Sequence, residues 1–392
     1  SPEDLAQKKT DDTVIIQVEW TNETSVKFTA TASDGDASDT LYLCVEKDQI
    51  GNAFSDSEDS CGTGMPYVGL DVTVTVTIGS LSTGTSYHWQ ARVKDFAGDY
   101  SDWLNFGTNG DPSDRDFGVD TTNPTLTDIW DGTDAGGSDI DYNDGSLSTL
   151  SAKWTAGSDS DSGIDYYEYA IGTTSGGVDV VDWTSSGATT TFTNSSLSLR
   201  TGKSYYSSVK VFDSAGNESS VITSDGQAVA PTITFGFLSG GSITFDDLNS
   251  GNSWTDSSKS TVVRSSTNAY NGYVVKGRAM DELKMVSNPA YYIPHYGSSN
   301  GSPSTWSGTG FGYTTSDSDL SGGTANRFTN GGTNYAGFDE STMYPVADHL
   351  DKVSGTPITN EDFTISYRVT GDETTVAGFY STILIITCIP QY

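Results

Sequence analysis

Residues 81–101 (LSTGTSYHWQARVKDFAGDYS) align without a gap to residues 199–219 (LRTGKSYYSSVKVFDSAGNES), with ten of the twenty-one positions identical. What repeats is a Leu before a turn, Thr-Gly in the turn, Ser-Tyr opening a strand, a Val, and a closing Asp-x-Ala-Gly-x-x-Ser. The offset of 118 residues, from 81 to 199, is the length of one sandwich domain. It predicts two consecutive copies of such a domain and excludes a short-period solenoid.

The rest of the chain also reads as strand. Val72-Thr73-Val74-Thr75-Val76-Thr77-Ile78 puts four aliphatic side chains on one face and Thr on the other, as a half-buried antiparallel strand requires. Tyr87, Trp89, Ala91 and Val93 alternate in the same way with His88, Gln90, Arg92 and Lys94. Gly, Ser, Thr, Asn and Asp interrupt nearly every window in which a helical period might run. The expected fold is all-β, with three β-sandwich domains in tandem.

Leu81, Gly84 and Tyr87, with the alternating strand and the Asp95-x-Ala97-Gly98 turn, resemble the E–F corner and F–G hairpin of fibronectin type III and related immunoglobulin-like domains. Leu199, Gly202, Tyr205 and Asp213-x-Ala215-Gly216 repeat the pattern. The resemblance implies a packing role for the Tyr, whose hydroxyl bonds back to nearby backbone. The boundaries that follow are an N-terminal tail over 1–11, fibronectin type III-like domains over 12–120 and 121–230, and a C-terminal β-sandwich with long Gly/Ser/Tyr-rich loops over 231–392. In that last part Ser266 to Val275 and the ending Ala377 to Ile386 resemble a C-terminal sandwich of large secreted proteins from candidate-phyla bacteria. The ending is also similar to the last strand of pilin-like and matrix-fibre sandwiches. Both resemblances imply a surface location and no activity.

Composition narrows function further. Asp and Glu number 52 against 19 Lys and Arg, a net charge of −33. A phosphate-binding surface must be cationic, so neither nucleic acid nor anionic lipid is an expected partner. No apolar run approaches the roughly 20 residues that span a bilayer. The opening Ser1-Pro2-Glu3-Asp4 reads as a chain from which a leader has been removed. Cys44 and Cys61 bracket a short polar loop and are expected to pair, as suits an exported protein. The alternative is two unrelated thiols, and Cys388 is left over in an apolar strand.

The chemistry on offer is sparse. His88, His295 and His349 fall in no metal-binding spacing, no Gly-x-Ser-x-Gly elbow sits between a strand and a helix, and no Gly-x-x-x-x-Gly-Lys phosphate loop is present. No catalytic residue is assigned. A secreted glycoside hydrolase using a carboxylate pair is carried only because an acidic chain offers many such pairs.

Calcium is the candidate cofactor. Asp34, Asp36 and Asp39, and Asp159, Asp161 and Asp165, occupy equivalent loops in the two repeats, with Asp95, Asp120 and Asp213 at domain ends. Solvated turn aspartates are the alternative reading. Tyr291, Tyr292, Trp306 and Tyr313, with Tyr296 and Phe311 nearby, are glycan-contact candidates or else a small core of their own loop. Asn22, Asn194, Asn217 and Asn300 open glycosylation sequons.

Two segments near the chain ends are apolar on successive residues, Thr13 to Trp20 and Tyr380 to Ile389. Val14, Ile16, Val18, Trp20, Ile383 and Ile385 are therefore candidates for strand exchange between subunits, or else they complete their own sandwiches. The expected function is an extracellular structural protein, the subunit of a surface filament assembled head to tail. The alternative is a monomeric surface adhesin that binds a host-cell glycan or protein.

Overall fold

The computed structural model describes all residues except 37, 108–111, 133–137, 250–253, 318–319, 321–326, 329–333 and 351–355. Among the described residues every regular element is a strand, and the architecture is all-β. The chain divides into two compact units. One is Ser1–Asp139 with Ser151–Phe192 and Tyr205–Gly226, and the other is Ile140–Leu150 with Thr193–Ser204 and Gln227–Tyr392. The expected second domain, 121–230, thus contributes segments to both units.

The first unit opens with β1 (Pro2–Lys8), β2 (Val26–Ala32), β3 (Thr40–Gln49), β4 (Val72–Ile78), β5 (Thr85–Lys94) and β6 (Phe117–Val119). One antiparallel sheet runs β1-β2-β4, with Phe28 opposite Val76 and Ala30 opposite Val74. The facing sheet holds β3 between β5 and the short strand Ser60–Cys61, with β6 on the far side of β5. The alternation read in Val72–Ile78 is what builds the core. Val74, Val76 and Ile78 are buried with Phe28, Leu41, Leu43, Tyr87, Trp89 and Phe117, and the Phe28 and Trp89 rings lie 4.6 Å apart.

Residues 1–11 are not a tail. Pro2–Lys8 pairs with Val26–Ala32, and the buried Gln7 donates to the Asp116 carbonyl and accepts from the Trp89 indole N–H. A polar side chain whose bonds are satisfied inside the sandwich ties this end down.

Later in the same unit come β7 (Leu150–Trp154), β8 (Ile164–Gly172), β9 (Val181–Gly187) and β10 (Ser204–Asp213). β8 pairs antiparallel with both β9 and β10. The buried Trp154, Tyr167, Tyr169 and Phe192 pack ring against ring.

The second unit is a sandwich made from β11 (Ile233–Ser239), β12 (Thr255–Thr267), β13 (Tyr273–Ala279), β14 (Gly310–Thr315), β15 (Tyr344–His349), β16 (Ile358–Thr370) and β17 (Leu384–Pro390). One sheet is ordered β11-β12-β16-β14 and continues into two short strands, Asn334–Gly337 and Ser304–Thr305. The facing sheet has three strands, β15-β13-β17. Between them lies a core of Val263, Tyr273, Val275, Phe311, Tyr313, Phe338, Ile365 and Tyr367.

Candidate functional site

The repeated Asp-x-Ala-Gly turn closes in the same manner in both copies, with the Asp carboxylate accepting from turn amides that differ by one position. Asp95 Oδ1 accepts from the Gly98 and Asp99 amides at 2.7 Å each, and Asp213 Oδ1 accepts from Ala215 at 2.9 Å and Asn217 at 2.8 Å. Gly98 and Gly216 take φ of 97° and 92°, a left-handed conformation that favours glycine. The Val93 amide donates to Ser101 Oγ, and the Val211 amide to Ser219 Oγ, both at 3.0 Å. The Tyr corner is also present, with the Ser82 amide donating to Tyr87 Oη at 3.0 Å.

These turns bring carboxylates together. Asp34, Asp39 and Asp95 have oxygens within 4.8 Å of one another, and so do Asp120, Asp159 and Asp213. Asp36, Asp161 and Asp165 stand outside both sets. Asp36 offers its amide to Asp34, Asp161 accepts from Thr122 Oγ1, and Asp165 is exposed. Ala37 lies outside the described residues. A third set, Asp131, Asp139 and Asp225, was not anticipated. Asp131 and Asp139 are eight residues apart, with the Asp131 amide bonded to Asp139 Oδ1, and the fold brings Asp225 to them from the far end of the repeat.

The Asp120 set is the most enclosed of the three. Asp120 directly follows β6 and is fully buried, as is Asp213 at the end of β10. Asp120 Oδ1 accepts from Thr122 at 2.8 Å and Oδ2 from the Ser162 amide at 3.1 Å. Asn217 Nδ2 bridges the Asp120 carbonyl and Asp213 Oδ2, each at 2.8 Å. Among the described residues no Lys or Arg ion-pairs with any of the three. Burial raises the Asp159 carboxyl above its ordinary range, and the charges of Asp120, Asp213 and Asp161 add to the effect. Three convergent carboxylates form an oxygen-only donor set of the kind a hard cation takes.

Cys44 and Cys61 are joined by a disulfide. The loop it closes folds over the outer face of β5. Phe54 stacks on His88 at 4.3 Å, and Ser55 and Gln90 bond Glu46. Burial alone would raise the Glu46 carboxyl, but these bonds outweigh it and hold the group below its usual value. His88 and Gln90 are therefore buried, where alternation had placed them outside.

The aromatic candidates do not form one surface. Tyr291 and Tyr292 are exposed, while Trp306 is half-buried and stacked on the buried Tyr296 at 4.2 Å. Tyr313 is a core residue, packed on Phe328 and Phe338, with its hydroxyl accepting from Asn300. It lies in β14, every residue of which is buried, and so cannot meet a glycan. Burial pushes its hydroxyl up to about 12. Phe311 belongs to the same core.

The strand-exchange candidates are placed unevenly. Thr13 to Trp20 is not one continuous strand; only Glu19–Thr21 is a strand, parallel to β6. Ile15 alone enters the core, leaving Val14, Ile16 and Val18 exposed at 55%, 63% and 52%. The Ile15 amide bonds the Gln7 carbonyl, which turns its neighbours outward. Trp20 is half-buried beneath the Arg115 guanidinium. Ile383 is exposed just before β17, and Ile385 is half-buried within it. Cys388, also in β17, is a free thiol 3.7 Å from Ser265 Oγ, and burial raises it.

No protein-family model matches the chain, and no curated protein sequence matches it either. Among solved structures it is similar to the fibronectin(III)-like modules of Clostridium thermocellum CbhA, at 14% identity and a TM-score of 0.33, over 58% of this chain and 94% of that one. A run of titin domains gives 14% identity and 0.33, over 59% and 67%. The FN1–FN3 domains of chicken CNTN1 give 13% and 0.21, over 98% of both. Likeness at this level carries nothing about what the chain does.

Proposed function

We propose that this is an extracellular structural protein, the subunit of a cell-surface filament built by head-to-tail contacts between copies. The observation that carries the reading is the segment Thr13 to Val18. It has no charged residue and exposes three aliphatic side chains on a chain whose net charge is −33. Exposed apolar groups in such a setting mark a contact surface, and a contact between unlike patches propagates where it does not close into a ring. The disulfide and the resemblance of the ending to secreted surface sandwiches support an extracellular location.

Calcium belongs to this reading as the ion that would sit among Asp120, Asp159 and Asp213. There it would offset like charge and tie the loop after β6 to those of β8 and β10. Negative-stain electron microscopy of the full chain, with calcium and after chelation, tests both points. Uniform filaments that dissolve on chelation are the expected result. Dispersed particles in both conditions would overturn the filament, and filaments indifferent to chelation would remove calcium from it. The exposed Tyr291 and Tyr292 favour a second reading, a monomeric adhesin, which glycan binding by a dispersed chain would support.

A further inference from the structure

Tyr367 and Val369 of β16 are buried in the core of the second unit, so Arg368 between them stands on the outer face of its sheet. Its partner across the β14–β16 pair is Gly312. A Cβ at Gly312 would lie 2.9 Å from Tyr296 Cβ and 3.1 Å from the Trp306 ring, so the stacked Tyr296 and Trp306 occupy the space a side chain there would need. The Arg368 guanidinium is 5.1 Å from the centre of the Trp306 ring and 5.7 Å from that of Tyr335. These rings are held in place. The Trp306 indole N–H donates to Thr370 Oγ1 at 3.0 Å, Tyr335 meets Trp306 edge-on at 5.3 Å, and Tyr296 Oη donates to the Thr305 carbonyl at 2.8 Å.

What this guanidinium lacks is an anion. Acidic residues number 52 against 19 basic ones, and Arg92 and Arg264 pair with Glu58 and Asp362. Among the described residues the Arg368 guanidinium takes neither an ion pair nor a hydrogen bond, and its Nε is shut away from water without a partner. An unsatisfied buried donor destabilises the fold, and a bound anion offsets that by pairing with the rest of the group.

We propose that Arg368, flanked by Trp306 and Tyr335, is a binding site for a single carboxylate carried on a sugar ring, a uronic acid residue of a saccharide. The planar guanidinium fork matches the two oxygens of a carboxylate. Trp306 and Tyr335 are only half-buried, and their exposed parts suit the apolar face of a sugar ring. A net charge of −33 disfavours a ligand bearing many negative charges and tolerates one. Trp306 thus keeps the glycan contact its sequence suggests, beside a cation that no sequence motif marks. This inference goes beyond the filament reading and does not depend on it.

The test titrates the full chain with methyl β-D-glucuronide and with the methyl ester of that sugar, followed by ligand-observed NMR. Wild type should bind the acid at least about tenfold more tightly than the ester, the loss expected when a charged hydrogen bond goes. Arg368→Gln should bind the two alike, and Arg368→Lys, which keeps the charge without the fork, should fall between. Circular dichroism of each variant identifies any loss that comes from unfolding, and the acid–ester comparison on wild type needs no variant. Acid and ester bound equally by wild type, or no saturable binding of either, would overturn the site. Wild-type self-association without sugar that Arg368→Gln abolishes would give the guanidinium a carboxylate of a second copy and overturn the saccharide.

Discussion

Asp159 sits in a position its own charge disfavours. Burial and three neighbouring carboxylates raise its folded value, so the fold prefers the protonated acid. The stability this gives is present at low pH and is lost as pH rises through the raised value. At pH 7 without divalent cations, Asp159→Asn should therefore raise the melting temperature. With calcium the same substitution should remove most of the stabilisation the ion gives to wild type. Differential scanning calorimetry in calcium and in chelator decides it, and a wild-type melting temperature blind to calcium would sink the site. Asp95 and Asp213 were legible as equivalents because the repeat aligns them, and Asp34 and Asp159 because both fall in the loop after the second strand of each copy. The Asp131 set was not, since Asp225 reaches Asp131 and Asp139 only through tertiary structure. Tyr313, read as a glycan contact or else as part of a small loop core, lies in the sandwich core, because strands close on it from both sides.

Elements were read correctly where alternation was strict and poorly where apolar residues ran together. Val72–Ile78 could pair in only one orientation, because a slip by one residue would bury its threonines. Val14-Ile15-Ile16 has no such code, and the Gln7–Ile15 backbone bond selected Ile15 for the core. The loop closed by Cys44 and Cys61 shows a second blind spot, since alternation says nothing about a loop that covers the outer face of a strand. That loop also guards an edge: a side chain at Gly62 would collide with the Thr75 carbonyl, so the segment fits only as glycine. Cys44→Ala with Cys61→Ala should lower unfolding free energy by about 3 kcal/mol through loop closure, and it should leave β4 free to pair between molecules. A urea midpoint equal to that of wild type would contradict this account.

At the scale of the whole molecule, the repeat marked two strand–turn–strand corners but did not say how the stretches between them would be shared. Residues 140–150 and 193–204 fall in the second unit and their flanks in the first, a partition set by long-range packing that no local period encodes. Net charge was legible at once and has its consequence here. Copies carrying −33 repel one another, and an uncharged docking contact gains nothing from ion pairing that could offset it. Lengthening the chain of subunits therefore depends on screening. The Debye length falls from about 30 Å at 0.01 M to about 8 Å at 0.15 M ionic strength, so assembly should begin at lower protein concentration as sodium chloride rises across that range. Calcium should do the same at far lower ionic strength if it binds the acidic sets. Assembly that weakens with added salt would mean that ion pairs hold the subunits, and the uncharged Thr13 to Val18 segment would then not be the surface that joins them.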